Sequence, residues 1–392
     1  MVGNQRESVT LASHYSRFRV SDRVLLTGHS HQAWPDVAFE AQQQAWLDAA
    51  EHVDDKWERA FGRADQVRAG YRRLLDDPDG HIALGHNTHE LVTRFLSALP
   101  LRDRPRLVTT DGEFHTIRRQ LDRLESEGLE IVRVSARPDA PLAEGLARAV
   151  DDRTAAVLVS SVLYRDARIV DGLRDVAEAC VRVGAELLVD AYHSLNAVPF
   201  SVVEMGLENA FVAGGGYKYC QLGEGNCFLR FPRDCRLRPV LTGWFAEFAT
   251  RAHAPGDGGV AYAEGHLRFA GATYDPVSHY RAAAVFAFFR EQGLGIGRLR
   301  GMSLRRIRRL ASGIDALDLD PAVLRRDRTV PLSRRGGFLA LESPHAAEIC
   351  SKLRVRGVHV DFRGSTLRLG PAPYVTDTQL DEAMAALAEV VG

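Results

Sequence analysis

Between residues 81 and 190 five short apolar runs alternate with stretches of helical spacing, and this rhythm restricts the chain more than any other feature. The runs cover 81–84, 106–109, 131–134, 155–160 and 186–189. Between the first two, Leu91, Val92, Phe95 and Leu96 share one helical face, and helices are expected over 142–150 and 176–183 as well. Strands that alternate with helices are joined by right-handed crossovers, so the expected fold class is α/β with a mostly parallel sheet flanked by helices. In such a sheet ligands gather at the carboxyl ends of the strands.

The fifth run delivers Asp190 at its carboxyl end, with His193 three residues on, in LLVDAYHSLNAVPF. One strand later comes GGGYKYCQLGEGNCFLRF, centred on Lys218. Only Lys56, Lys218 and Lys352 are lysines; arginine supplies the rest of the positive charge. Arginine stays protonated and forms no Schiff base, whereas a partly buried lysine does, so a lysine among Gly214, Gly215, Gly216, Tyr217 and Tyr219 is a candidate nucleophile. A lone lysine in a loop is more often incidental, and a lone aspartate at a strand end is more often a helix cap. Together they match the parts of a pyridoxal phosphate site: a carboxylate for the pyridinium nitrogen, a ring for its face and a lysine for its aldehyde. Upstream, Asn87 or Thr88 caps a helix whose free N–H groups would suit a phosphate, and Phe114 or His115 offers a flat face. His29 and His31 flank Ser30 in a polar turn; without acidic or cysteine partners the pair reads as a substrate-facing or structural turn rather than a metal site.

A chain of 392 residues is long enough for a large domain and a smaller one. Its formal net charge of -1 gives no general attraction to nucleic acid or anionic membrane. No apolar run approaches the length of a membrane span, and the first residues lack a secretory apolar core, so a cytoplasmic enzyme is expected. Five cysteines without a CxxC pair argue against a disulfide framework or zinc. Five arginines between Arg300 and Arg309 are expected to lie on a solvated helix face.

With these segments in hand the chain resembles kynureninase and, more widely, the class V aminotransferase group of fold-type I pyridoxal phosphate enzymes. The resemblance runs through GHSHQAWP, HNTHELV, TTDGEFHTIRRQL, VLVSSVLYRDARIVD, LLVDAYHSLNAVPF, GGGYKYCQLGEGNCFLRFPR, LTGW, FAGATYDP and RGVHVDFRGSTLRLGPAPYV. It implies that Lys218 takes the cofactor aldehyde and moves protons at the substrate Cα, that Asp190 pairs with the pyridinium nitrogen, and that His193 lies beside the ring on which Phe114 stacks. It implies that Asn87, Thr88 and Tyr217 hold the phosphate, and that Trp244 and Thr273 reach the phosphate of a neighbouring subunit in a homodimer. Arg368 is implied to grip the α-carboxylate of an L-amino acid substrate.

The resemblance also implies three parts: an N-terminal segment (1–50), a large cofactor-binding domain (51–295) and a small C-terminal α/β domain (296–392). Two positions depart from the kynureninase pattern. The first turn reads His29-Ser30-His31-Gln32 in place of Asn-Ser-Leu-Gly, and Ile117 stands where an aspartate is usual three residues beyond the stacking Phe. Both changes bear on the substrate pocket, with the turn at 29–31 as candidate substrate-binding residues. The expected chemistry is therefore cleavage of a side-chain bond, by Cβ–Cγ hydrolysis or C–S lysis. Transamination, decarboxylation or oxidative deamination in specialised metabolism, and a non-catalytic binding role are the alternatives.

Overall fold

The structure, a computed structural model, describes residues 11–248 and 259–392. The order of elements begins with β1 (Val24–Leu25), α1 (Val37–His52), α2 (Lys56–Leu75), β2 (His81–Gly85), α3 (Thr88–Ala98), β3 (Arg106–Thr110), α4 (His115–Ser126) and β4 (Glu130–Val134). It continues through α5 (Leu142–Ala149), β5 (Thr154–Ser160), α6 (Leu173–Val183), β6 (Glu186–Asp190), β7 (Phe211–Gly215) and β8 (Cys227–Phe231). After α7 (Val277–Glu291) and α8 (Ile296–Ala316) come β9 (Arg325–Arg326), β10 (Leu339–Glu342), α9 (Ala346–Val355), β11 (Val358–His359), β12 (Asp361–Arg363), β13 (Thr366–Leu369) and α10 (Asp377–Val391).

Seven strands form one sheet in the order β2-β8-β7-β6-β5-β3-β4. β8 is antiparallel to both neighbours, and the remaining pairs are parallel, so six strands run one way. The period of two explains why both faces are covered. On β5, Val157 and Val159 join a core with Leu146, Leu173 and Val176 of α5 and α6, while Ala156 and Leu158 join a second with Leu91, Phe95 and Leu121 of α3 and α4. Each fully buried Leu, Val or Phe stabilises the fold by about 1.5–3 kcal/mol. One consequence is directional: Gly85, Thr110, Ser160, Asp190 and Gly215 all end their strands on the same edge.

The C-terminal strands make a separate antiparallel sheet, β12-β13-β10-β9, and β1 runs parallel to β11. That pairing ties the turn after β1 to the C-terminal part, and Gly28 N–H donates to the Gly370 carbonyl. Close approach requires the glycine, since a Cβ on Gly28 would lie 2.8 Å from that oxygen. A buried chain of amides fixes the same turn to the loop after Lys218: Tyr15 Oη donates to Gln221 Oε1, and Gln221 Nε2 to Gln32 Oε1.

The sequence keeps helical spacing from 37 to 61, yet the chain forms two helices there, α1 and α2, because Val53 adopts a positive φ of 46° and its N–H returns to the Ala49 carbonyl. The arginine-rich stretch of α8 is not simply a solvated face. Arg306 is buried and donates to the Val375 and Pro373 carbonyls, while Arg300 donates to those of Ala197, Ser333 and Arg335. Within the stretch 242–276, rich in Gly, His and aromatic residues, residues 249–258 lie outside the described residues. Among the described residues no helix is long and apolar enough to cross a membrane.

Candidate functional site

Asp190 ends β6 and is register-paired with Ser160 on one side and Ala213 on the other, at the centre of the sheet edge. Its Oδ1 accepts from the Tyr192 N–H at 2.8 Å, which fixes the carboxyl group in the cleft. Ser161 Oγ donates to the Asp190 carbonyl and contacts Ser194 Oγ at 2.5 Å, holding the turn that follows. Burial raises the Asp190 carboxyl above its ordinary range; the Tyr192 N–H and Lys218 oppose that only in part. Such a carboxylate suits a cationic N–H partner.

Lys218 follows β7. Gly215 is required there, since a Cβ would press on Tyr192 Oη and lie 2.5 Å from Cys227 Sγ. The lysine is buried, with Nζ 2.9 Å from His193 Nε2 and 5.2 Å from the centre of the Phe114 ring. Burial, partly offset by Asp190, brings its amine down to about 7. Burial, reinforced by Lys218 and Arg368, also holds His193 well below its usual value. A neutral His193 therefore accepts at Nε2 from the lysine whenever the latter is protonated.

Seven of the expected residues line one cavity of about 270 Å³: Asn87, Thr88, Phe114, Asp190, His193, Tyr217 and Lys218. Asn87 caps α3, with Oδ1 accepting from Glu90 N at 2.9 Å, and Thr88 starts the helix with its hydroxyl 3.8 Å from Cys227 Sγ. A helix N-terminus with a hydroxyl at its mouth is a site for an anion. The donor set fits pyridoxal phosphate: an amine for the aldehyde, a carboxylate for the ring nitrogen, a ring for the face and a helix start for the phosphate. Cys227 also lines this cavity; its sulfur contacts the Thr88 and Tyr192 hydroxyls, and burial pushes its thiol up to about 11.

The other six expected residues lie elsewhere. Thr273 lines a neighbouring cavity of about 430 Å³ that shares His86 and Gly225 with the first, and Trp244 is the exposed first residue of a 3-10 turn whose Phe245 and Ala246 are buried. Ser30 Oγ donates to the Thr27 carbonyl within its own turn, and His31 stacks on Tyr217 with ring centres 5.4 Å apart. His29, read as substrate-facing, is instead fully buried: Nε2 is 2.7 Å from Asp361 Oδ1 and the ring packs on Phe338. Burial, against the pull of Asp361, lowers it to about 4. Arg368, read as holding a substrate carboxylate, has that fork filled. Its Nε donates to Asp361 Oδ1 at 2.8 Å, Nη2 to Oδ2 at 2.5 Å and Nη1 to the Tyr164 carbonyl at 2.7 Å. The cause is the register of β12 on β13, which sets Asp361 directly opposite Arg368.

Sequence reasoning missed Asp361, Tyr192 and Glu113. Tyr192 lies within the DAYHS segment, and its ring centre is 4.6 Å from Lys218 Nζ. Glu113, just before Phe114, accepts from Thr110 Oγ1, Ser160 N and Ser160 Oγ, and burial raises it to about 7. It braces the ends of β3 and β5 beneath the aromatic residue. Ile117, the second departure, is fully buried in the core under α4 and does not reach the cavity.

With this geometry in place, comparison with known proteins is informative. Residues 327–387 match the family model described as the kynureninase C-terminal domain. Over 321 residues the sequence is 29% identical to kynureninase from Bacillus anthracis, covering 78% of this chain and 72% of that protein. The chain is thus similar to kynureninases over most of its length. An uncharacterized aminotransferase, YcbU of Bacillus subtilis (strain 168), is 24% identical over 352 residues, 88% of each chain. Among solved structures, the cystine C–S lyase C-DES, in complex with its reaction product cysteine persulfide, superposes with a TM-score of 0.80 at 18% identity, covering 94% of this chain and 98% of that one. At that identity the likeness is one of fold, and both chains share the same α/β architecture. Both Asp361 and Arg368 fall inside the stretch matched by the family model.

Proposed function

We propose that this protein is a pyridoxal phosphate-dependent enzyme that acts on an L-α-amino acid and breaks a bond in its side chain, as a hydrolase at Cβ–Cγ or as a C–S lyase. The observation that carries the reading is the buried Lys218 amine, brought to about 7 and facing Asp190 and Phe114 across one cavity. The kynureninase relative supports side-chain cleavage. Pyridoxal phosphate, when bound, supplies an aldehyde for amines and an electron sink for charge at the substrate Cα.

The chain's own residues do the rest. Lys218, mostly neutral near pH 8, is suited to take a proton from Cα and return it. His193, neutral and 2.9 Å from Nζ, keeps the amine aimed into the cavity. Asp190 holds negative charge at the sheet edge, where a ring N–H would meet it. Asn87, Thr88 and Tyr217, together with the start of α3, would hold the phosphate, and Phe114 would shield the ring from water. A panel of aromatic and sulfur amino acids tests the reaction. Release of alanine, pyruvate or ammonia is expected, and a panel that yields none of these contradicts it.

A second reading, transamination, is favoured by the likeness to YcbU over 88% of both chains. Conversion of the bound cofactor to its amine form on mixing with an amino donor would favour it over cleavage.

The protein is further proposed to act as a homodimer, with Trp244 and Thr273 of one subunit at the phosphate of the other. Val240, Leu241 and Trp244 support this, since all three are exposed apolar side chains on one short stretch. Light scattering is expected to give twice the 43.3 kDa of one chain, and a monomer at working concentration contradicts it.

A further inference from the structure

Arg368 and Asp361 form a cross-strand pair on β13 and β12 in which the carboxylate, not the guanidinium, is the more accessible partner. The Arg368 side chain is 3% exposed and that of Asp361 17%. Asp361 takes the Nε–Nη2 fork with both oxygens, the bidentate arrangement that an α-carboxylate would make with the same arginine. Two further groups hold Asp361 from the other side. His29 Nε2 lies 2.7 Å from Oδ1, and Arg363 Nη2 lies 3.7 Å from Oδ2. Burial alone would raise the Asp361 carboxyl, but His29 and Arg368 outweigh it and keep it ionised. Arg368 thus already has a carboxylate partner, and Asp361 already has two partners besides Arg368 that would keep it paired if it left the fork.

We propose that Asp361 is a specificity-determining residue that occupies the substrate-carboxylate position on Arg368, and that an incoming α-carboxylate binds by displacing it onto His29 and Arg363. This rests on the reading of Arg368 as the carboxylate-binding arginine of an amino-acid enzyme. The exchange swaps one carboxylate for another on a buried guanidinium, so Arg368 is never left unpaired, a state that is strongly destabilising. It also gives the unusual first turn a purpose, because His29 retains the displaced Asp361. Ligands without a carboxylate neither drive the exchange nor bear its cost, so Asp361 sets how strongly Arg368 favours α-amino acids over simple amines. The cost of moving Asp361 weakens binding of every carboxylate in proportion.

The test uses the full-length protein with acetate and two amines as probes. Asp361→Asn removes the negative charge beside Arg368 and one of the two acceptors of its fork, so replacing chloride by acetate at constant ionic strength is expected to raise its thermal midpoint more than that of the wild type. The excess is expected to vanish in Asp361→Asn/Arg368→Gln. Equal acetate shifts in wild type and Asp361→Asn overturn the proposal. The thermal measurement works with or without cofactor, so it separates this inference from the cofactor assignment. Should Asp361→Asn fail to fold, Arg363→Gln, on a half-exposed side chain, serves instead. Its half-saturating concentration of L-alanine, followed by the cofactor spectrum, is expected to rise roughly two- to fivefold, with that of ethylamine unchanged. An equal change for both amines, or none for L-alanine, overturns the proposal too.

Discussion

Lys218 is held below its ordinary value by burial, with Asp190 pulling the other way, and that balance has a measurable sign. In the unfolded chain a lysine titrates near 10.4, whereas in the folded protein it does so at about 7. Across that window the unfolded chain binds a proton that the folded chain does not, so this group's contribution to stability grows as pH rises and is lost as pH falls through about 7. In protein freed of cofactor, the thermal midpoint is therefore expected to climb with pH more steeply in the wild type than in Lys218→Met from about pH 7 upward. Parallel curves would contradict the burial of the amine. The same neutral amine sets the rate at which cofactor is taken up: the rate should rise with pH to a plateau with a midpoint near 7, and stopped-flow absorbance distinguishes that from a midpoint near 10. Lys218 was readable in the sequence because so few lysines compete with it. Asp361 was not, because only the β12–β13 register, fixed by a short hairpin across Gly364, brings it opposite Arg368.

At the scale of elements, β8 is the strand on which the sheet's integrity depends most visibly, since it is the single antiparallel member between β2 and β7. Its Arg230 is buried, with Nε 2.5 Å from Asp77 Oδ2 and Nη1 donating to the Ala210 and Glu208 carbonyls. Arg230→Ala strands the buried Asp77 carboxylate and those carbonyls, and a loss of about 3–5 kcal/mol is expected. Urea denaturation measures it; a loss below about 1 kcal/mol would show that the pair contributes little. At the end of the chain, Thr376 and Gln379 cap α10 reciprocally, and Thr376→Ala is expected to cost about 1 kcal/mol by the same measurement. The alternation of strands and helices, and the buried face of α3, could be read from periodicity alone. The break between α1 and α2 could not, because Val53, a residue that favours extended backbone, takes a positive φ there under tertiary constraint.

For the whole molecule, the sheet brings together residues that are far apart in sequence. Thr88, Phe114, Asp190 and Lys218 meet because four strand ends share one edge, which is why the ordered motifs pointed to the cofactor cavity. The first turn was harder to read. His29 has the look of a ligand-facing histidine in sequence, yet the parallel pairing of β1 with β11 carries it into the C-terminal part and buries it against Phe338. Trp244 and Thr273 lie outside the cavity of their own chain, consistent with the proposed role across a subunit interface. Everything proposed for the cavity depends on Lys218 carrying the cofactor, and the absorbance spectrum of the purified protein decides that, recorded with Lys218→Ala before and after borohydride. A visible band that borohydride bleaches in the wild type and that is altered in the variant is expected. No such band, even after pyridoxal phosphate is added, would contradict it.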